Sequence, residues 1–439
     1  MVHPEQDIVS IFRHAVAAVH PQRLIRDTVQ VKDGTLYLNS EAVVLSPGAR
    51  IVVVGAGKAA AAMAQELERV VSPHFPLSGF VVTKYGHALP LAHIELLEAG
   101  HPVPDENSVA ATVRLLAQLQ HLQAADVVIF LLSGGASALL ADVPAGGSLQ
   151  EVQALFELLL QSGADISEIN TVRKHLSHIK GGQLAQQIYP ATLYTIILSD
   201  VVGDQLNVIG SGPAVPDPGT FADTLHILQK YHLTQKMPQP LLQHIEDGLA
   251  GRIPDTPKAG NAPWEHVHNI LAGTNRIALK AAASKARSLG YHTRLLQDDL
   301  SGEARQVARQ LVQTAMDYQG PLPACLLAGG ETTVTIRGTG KGGRNQELAL
   351  AAAIALEGQT NITLLSAGTD GTDGPTDAAG AIVNGYTLKE AKALHLHAND
   401  FLDNNDAWHF FHQTGGLLIT GPTQTNVMDL MILLITAKA

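Results

Sequence analysis

Several polar, glycine-rich stretches each follow a short apolar run, and their charged residues define the chemistry on offer. The first is Val54-Gly55-Ala56-Gly57-Lys58-Ala59-Ala60. Gly55 and Gly57 would let the backbone approach a ligand closely. Free N–H groups at a helix start suit an anion, and Lys58 adds a mobile positive charge. The loop also fits a dinucleotide fingerprint in its G-x-G-x-x-A form, yet the next apolar run ends Val82-Thr83-Lys84, with no acid for a ribose. It is not a Walker A loop, because Ala59 follows Lys58. The plain alternative is a tight turn with a solvated lysine. A second cationic loop runs Gly338-Thr339-Gly340-Lys341-Gly342-Gly343-Arg344-Asn345-Gln346-Glu347. Glycines around Lys341 and Arg344 make a flexible loop that could close over a phosphorylated ligand. Arg344 could stabilise charge on a transferring phosphoryl group.

Hydroxyls and acids supply the remaining candidates. In Ser133-Gly134-Gly135-Ala136-Ser137, two hydroxyls and consecutive glycine amides could bind a carboxylate or phosphate. Ser137 fails as a nucleophile because the G-x-S-x-G elbow is absent, and helix capping explains it equally well. Arg173, Lys174 and Lys180 form a basic stripe if one helix carries them, for which a solvated face is the preferred explanation. Asp200 follows an apolar run, where it could hold Mg²⁺, accept a proton from a hydroxyl, or cap a turn with Asp204. In Ser366 to Asp377, Asp370, Asp373 and Asp377 alternate with glycines. The closing Glu of a calcium loop is missing, so Mg²⁺ held together with substrate phosphates fits better. Asn426 lies in a polar stretch that says little alone. The histidines form no H-E-x-x-H pattern, which argues against a zinc hydrolase.

The elements that must position these residues are legible as apolar runs. They include 51–54, 79–83, 127–132, 195–198, 270–272, 325–328 and 363–365, separated by helical patterns such as 58–71 and 346–356. Continuous runs suit strands buried on both faces of parallel sheets, so the expected fold class is α/β. Ligands in such sheets bind beyond the strand ends, and two domains would offer a cleft between them. A proline- and glycine-rich stretch over 236–266 reads as a linker. The 439 residues suffice for two large domains, and a net charge of -11 argues against a nucleic-acid partner. The lone Cys325 excludes an internal disulfide and reads as a buried thiol. No signal peptide or membrane span is evident, so a cytoplasmic location is expected.

In this order, the loops resemble the class II glycerate kinases. The specific pieces are Gly100-His101-Pro102-Val103-Pro104-Asp105, Ser133-Gly134-Gly135, Asn170 to Ser177, Ser211-Gly212-Pro213, Gly340 to Glu347 and Gly368 to Gly374. The resemblance covers nearly the whole chain. It implies an N-terminal Rossmann-like domain over 1–245, a linker over 246–266 and a C-terminal MOFRL domain over 267–439, with the site in the cleft between the domains. It also implies phosphorylation of D-glycerate to 2-phosphoglycerate with ATP and Mg²⁺. The family's catalytic lysine falls on Lys58, its arginine on Arg344, its site acids on Asp200 and Asp370, and its asparagine on Asn426. On this reading Gly55, Gly57, Ser133, Gly134, Gly135, Ser137, Arg173, Lys341 and Asn426 bind substrate or phosphate, and Asp200, Asp370 and Asp373 hold the metal. The partners are small molecules, with neither nucleic acid nor membrane, and a homodimer is the expected assembly. An NAD(P)H-dependent hydroxypyruvate reductase is the alternative, a name some family members carried, and a non-catalytic sensor is another. Two departures from the family pattern are Asn404-Asn405-Asp406-Ala407-Trp408 and Gln424, where glycine is expected.

Overall fold

A computed structural model describes residues 3–260 and 263–438. The chain forms two compact units. One holds residues 24–198 and 204–272, and the other holds residues 1–23, 199–203 and 273–439.

The first unit is built on a six-stranded sheet. Its strands run Ile94–Ala99, Leu77–Lys84, Ile51–Ala56, Val127–Ser133, Thr192–Leu198 and Val267–Gly273 across the sheet. The first five pair in parallel. Numbered along the chain this is the order 3-2-1-4-5-6, the doubly wound arrangement of Rossmann-like domains. The order reverses between Ile51–Ala56 and Val127–Ser133, so the Lys58 loop and the Ser133 loop leave adjacent strands at the switch point. Both strands are buried along their whole length, as their unbroken apolar sequence requires. The Ala-rich helix Ala60–Val71 packs close because Ala60, Ala61 and Ala64 present only methyl groups.

The second unit carries a sheet ordered His292–Glu303, Ala324–Thr333, Asp429–Ile435, Ile362–Gly368, Gly380–Asn384 and Leu417–Leu418. It is mixed rather than parallel. Asp429–Ile435 runs antiparallel to both neighbours at its centre. A strand buried on both faces reads as a continuous apolar run in either direction, so the run alone does not distinguish the two. The helix Arg344–Ala355 lies in the core of this unit, where Leu348, Leu350 and Ala353 join Leu326, Leu364 and Leu433 in one apolar cluster. Each fully buried leucine contributes roughly 2 kcal/mol.

The units do not follow the expected boundaries of 1–245, 246–266 and 267–439. The N-terminal helix Pro4–Ala18 belongs with the mixed sheet, tied by Tyr291 Oη donating to Asp7 (2.8 Å) and Thr425 Oγ1 donating to Val19 O (2.6 Å). The expected linker packs within the first unit. Gln239–Leu249 is a helix, Thr256 donates to Asp217, and Asp255 pairs with His175. Asn261 and Ala262, inside that stretch, lie outside the described residues.

Candidate active site

In the first unit the Gly57 loop is locked against the Ser133 loop by its backbone. Gly57 N–H donates to Val82 O, Lys58 N–H to Gly134 O (2.9 Å), and Ala59 N–H to Ser133 Oγ (3.1 Å). The amides expected to receive an anion are therefore spent inside the protein. The glycines serve close packing instead. Gly57 sits at φ +136°, and a Cβ there would lie 2.1 Å from Ser133 Oγ; at Gly55 it would lie 2.9 Å from Val81. What this turn offers a ligand is the half-buried Lys58 side chain, which has no carboxylate partner among the described residues.

Positive and neutral groups surround Lys58. The loops after neighbouring strands bring Lys84, His87 and His101 beside it. The His101 ring packs on Gly135, whose added Cβ would lie 2.8 Å from His101 Cδ2. Burial, then the charges of Lys58, Lys84 and His87, push His101 down to about 4, so its imidazole is neutral at pH 7. The sequence pattern contained His101 without assigning it a role.

Ser137, Ser211, Asn170 and Arg173 form a chain. Ser137 Oγ lies 3.0 Å from Ser211 Oγ, Ser211 Oγ is 3.4 Å from Asn170 Oδ1, and Arg173 donates to Asn170 Oδ1 at 2.8 Å. Arg173 lies over the Phe156 ring, and burial lowers its pKa. The solvated basic face expected beside it does not exist. The helix Ile166–His175 ends before Lys180, and both neighbouring lysines are buried. Lys174 pairs with Asp217 (3.0 Å) and Lys180 with Asp142 (3.6 Å).

In the second unit each polar residue of the Arg344 motif has a defined partner. Arg344 Nε and Nη2 donate to the two carboxylate oxygens of Asp429 at 2.6 and 3.0 Å, and Nη1 meets Glu331 at 2.6 Å. Burial alone would lower the pKa of Arg344. The Asp429 hydrogen bond and the charges of Asp429, Glu331 and Asp373 outweigh this and hold the guanidinium charged. Asp429 is fully buried and stands in register with Gly330 on one side and Gly368 on the other. Neither Asp429 nor Glu331 was predicted. Only the sheet register shows that Asp429 faces two glycines.

Asp373 does not fit the metal role expected of it. Its oxygens accept from the backbone N–H of Asn345 (3.0 Å) and Gln346 (2.9 Å), and from both their side-chain amides. It thus caps the first turn of Arg344–Ala355 from outside the helix. A Cβ on Gly343 would lie 2.3 Å from its Cγ, so the glycine makes room for it. Burial pushes Asp373 up to about 6 despite these hydrogen bonds.

Asp370 and Asp200 are placed differently. Asp370 Oδ1 accepts from Thr372 N–H and its hydroxyl, leaving Oδ2 with no hydrogen bond among the described residues. Asn426 Nδ2 reaches Asp200 Oδ2 at 3.4 Å, while Asn426 Oδ1 accepts from Met428 N–H. Among the described residues no three His, Cys, Asp or Glu side chains gather as a metal cage. Two hard carboxylates suit Mg²⁺, which takes one or two protein oxygens and completes its shell with water and phosphate.

The departing segment 404–408 holds the glycine-rich loop. Asn405 Oδ1 accepts from Arg337 N–H (2.7 Å) and Gly338 N–H, Asn404 Oδ1 from Thr339 N–H, and Asp406 Oδ1 from Lys341 N–H (2.8 Å). The Lys341 ammonium lies 4.1 Å from the Trp408 ring centroid.

Residues 7–246 match the family described as "Domain of unknown function (DUF4147)", and residues 324–429 match the "MOFRL family". The chain is 43% identical over 438 residues to D-glycerate 2-kinase of Thermotoga maritima, covering 97% of each chain. It is 40% identical to glycerate 2-kinase of Pyrococcus horikoshii, covering 97% of this chain and 96% of the relative. The crystal structure of glycerate kinase from Thermotoga maritima superposes with a TM-score of 0.88 at 42% identity, covering 98% of this chain and 99% of that one.

Proposed function

The chain belongs to the glycerate kinase family that joins a DUF4147 and a MOFRL domain, and from that premise we propose that it transfers the terminal phosphoryl group of ATP to the 2-hydroxyl of D-glycerate. The observation that carries the reading is its likeness to glycerate 2-kinases along nearly its whole length. The site chemistry supports it. Phosphoryl transfer asks for cations that balance charge on the moving group and for oxygens that hold a metal, more than for covalent chemistry.

Two sets of residues are assigned to this reaction. Lys58, without a carboxylate partner among the described residues, reaches the transferring phosphate, and its backbone is fixed by Gly134. Ser133 Oγ accepts from Ala59 N–H and keeps its own proton for a substrate oxygen. The Ser137–Ser211–Asn170 chain orients Arg173 toward the glycerate carboxylate. Arg344, gripped by Asp429, neutralises charge as the bond to the leaving oxygen breaks. Asp200 and Asp370 would hold Mg²⁺, which supplies charge neutralisation on the phosphates when bound. Asn426 orients Asp200. We place the enzyme in the cytoplasm, where ATP is available, and no helix among the described residues is long and apolar enough to cross a membrane.

The reductase alternative gains no support from the fold. The strand after the glycine loop ends at Thr83 and Lys84, and the Thr83 hydroxyl bonds Gly57 O (3.1 Å) where a dinucleotide fold would put an acid toward ribose. Purified protein, D-glycerate and ATP-Mg²⁺ followed by phosphorus NMR should give 2-phosphoglycerate. A 3-phosphoglycerate signal, or oxidation of NADH by hydroxypyruvate with no phosphoglycerate, overturns the reading.

A further inference from the structure

The two residues that follow Arg344 are held by the loop that carries Asp370. Asp373 is buried there, and its carboxylate takes four N–H donors. Oδ1 accepts from the Asn345 backbone (3.0 Å) and side chain (3.3 Å), and Oδ2 from the Gln346 backbone (2.9 Å) and side chain (3.0 Å). Further bonds surround these four. Gln346 Nε2 also donates to Asp373 O and Thr376 Oγ1, and Ser366 Oγ donates to Asn345 Oδ1 (2.7 Å). The two backbones touch as well. A Cβ on Gly343 would overlap the Asp373 carboxyl, and a Cβ on Gly374, at φ +59°, would overlap Gly342 O. The loop of Asp370 and the turn of Arg344 are thus one interlocked piece, with Asp373 as its pin.

We propose that Asp373 is a positioning residue that sets the Arg344 guanidinium and the Asp370 carboxylate in one fixed geometry for phosphoryl transfer. The inference rests on the kinase reading and gives Asp373 a task in place of metal binding. Asp429 holds the side chain of Arg344, whereas Asp373 holds the backbone from which that side chain grows. An ionised carboxylate has about four acceptor sites, and here each has a donor. Its charge strengthens every one of these bonds. Protonation would turn one oxygen into a donor facing N–H groups, so the pin works only as a carboxylate. Burial, with the Asp429 charge adding to it, pushes Asp373 up to about 6, which puts the loss of the pin within reach of a pH titration. The charges around it are known. Arg344 feels Asp373 together with Asp429 and Glu331. Glu347, on the same helix, is paired with Arg305, and Asp370 and Asp377 lie in the loop itself.

The test uses the full-length protein and two readouts. One is the NMR signal of the Arg344 Nε–H group, which requires no activity. The other is kcat and KM with ATP-Mg²⁺ and D-glycerate as a function of pH. In the wild-type protein the Nε–H signal should shift with a midpoint near pH 6. Below that midpoint kcat should fall about ten-fold per pH unit. Asp373→Asn keeps the size and removes the charge. It should lower kcat by about a hundred-fold at neutral pH, with both KM values changed far less. It should also abolish the shift of the Nε–H signal near pH 6. Gly374→Ala keeps the carboxylate and wedges the two loops apart, so it should lower kcat by about ten-fold and retain the acid limb. A folded Asp373→Asn protein with wild-type kcat overturns the proposal, and so does one that keeps the Nε–H titration. Thermal melts identify a variant that has not folded. In that case the wild-type titration and Gly374→Ala decide, and a signal that stays flat near pH 6 or an unchanged kcat in Gly374→Ala overturns the proposal. Should the wild-type protein fail to phosphorylate glycerate, the kinase reading falls while the Nε–H signal still reports whether Asp373 sets Arg344.

Discussion

Lys58 and Arg344 each sit at a glycine-rich turn leading into a helix, and they are held in opposite ways. Lys58 has its backbone locked and, among the described residues, its side chain has no carboxylate partner; Lys84, His87 and His101 lie beside it. Arg344 has its side chain gripped by two acids, Asp429 and Glu331. A lysine on a flexible stem can follow a moving phosphate. An arginine fork bound to a buried carboxylate cannot, and it offers a fixed geometry instead. The difference also divides stability from function. The fold is therefore expected to depend on Arg344 through Asp429 and not on the Lys58 ammonium.

Removing each cation in turn is the largest test of that contrast. Both Lys58→Ala and Arg344→Ala should lower kcat by about a thousand-fold or more. Their stabilities should part. Arg344→Ala leaves Asp429 buried without its cation, a loss of about 3–5 kcal/mol that a thermal melt will register. Lys58→Ala should stay within about 0.5 kcal/mol of the parent protein. Equal melting temperatures for the two variants would mean that Asp429 finds another partner and that the grip on Arg344 is incidental.

Asn405 tests how far the preformed geometry extends beyond Arg344. Its side chain accepts from two loop amides and donates to Glu347, which also takes Arg305. Asn405→Ala strands these buried groups and should cost about 1–3 kcal/mol. It should also speed amide hydrogen exchange over residues 337–343. Unaltered exchange there would show that Asn404 and Asp406 hold the loop alone.

Strands such as Ile51–Ala56, Val127–Ser133 and Ile362–Gly368 are legible in the sequence because burial on two faces leaves mostly apolar residues, whereas the largely exposed edge strand His292–Glu303 carries no such run. The functional partners are not legible, for a reason of distance. Arg344 and Asp429 are 85 positions apart, and no spacing rule connects them. The amides of Lys58 and Ala59 looked available because Gly134 O and Ser133 Oγ, which absorb them, lie on another strand. Lys174 and Lys180 looked solvated because Asp217 and Asp142 are equally remote. Charged residues thus announced a site without saying which charges were already neutralised. The unneutralised Lys58 and the gripped Arg344 read alike until the fold supplied the partners.

His101 sharpens the Lys58 side. Its pKa is near 4 in the folded protein against an ordinary 6.5. The native state therefore binds fewer protons than the unfolded chain between those values. The stability contributed by the neutral imidazole is present in full above pH 6.5 and is lost as pH falls toward 4. His101→Gln should flatten the acid limb of a stability-against-pH curve measured by denaturant melts. The groups facing this imidazole are Lys58, Lys84 and His87, so Lys58→Ala should move the His101 titration upward by NMR. No movement would place the Lys58 charge too far away to act and leave burial, Lys84 and His87 as the causes.

The smallest effect concerns strain on the Arg344 side. Gln424 has φ +62°, in the left-handed region, at the position where the family resemblance leads one to expect glycine. It sits between Thr423, whose hydroxyl donates to Thr369 O, and Asn426, which reaches Asp200. A side chain in that conformation costs about 1 kcal/mol, and glycine recovers it while losing part of the gain to its freer unfolded state. Gln424→Gly should therefore stabilise by less than about 1 kcal/mol in a denaturant melt. If the prebuilt geometry depends on this residue, the variant will instead destabilise and raise the KM for glycerate. A small gain in stability with kinetic constants held means that the turn carrying Asn426 is set by Thr369 and Met428, and that the strain at Gln424 contributes nothing to the site.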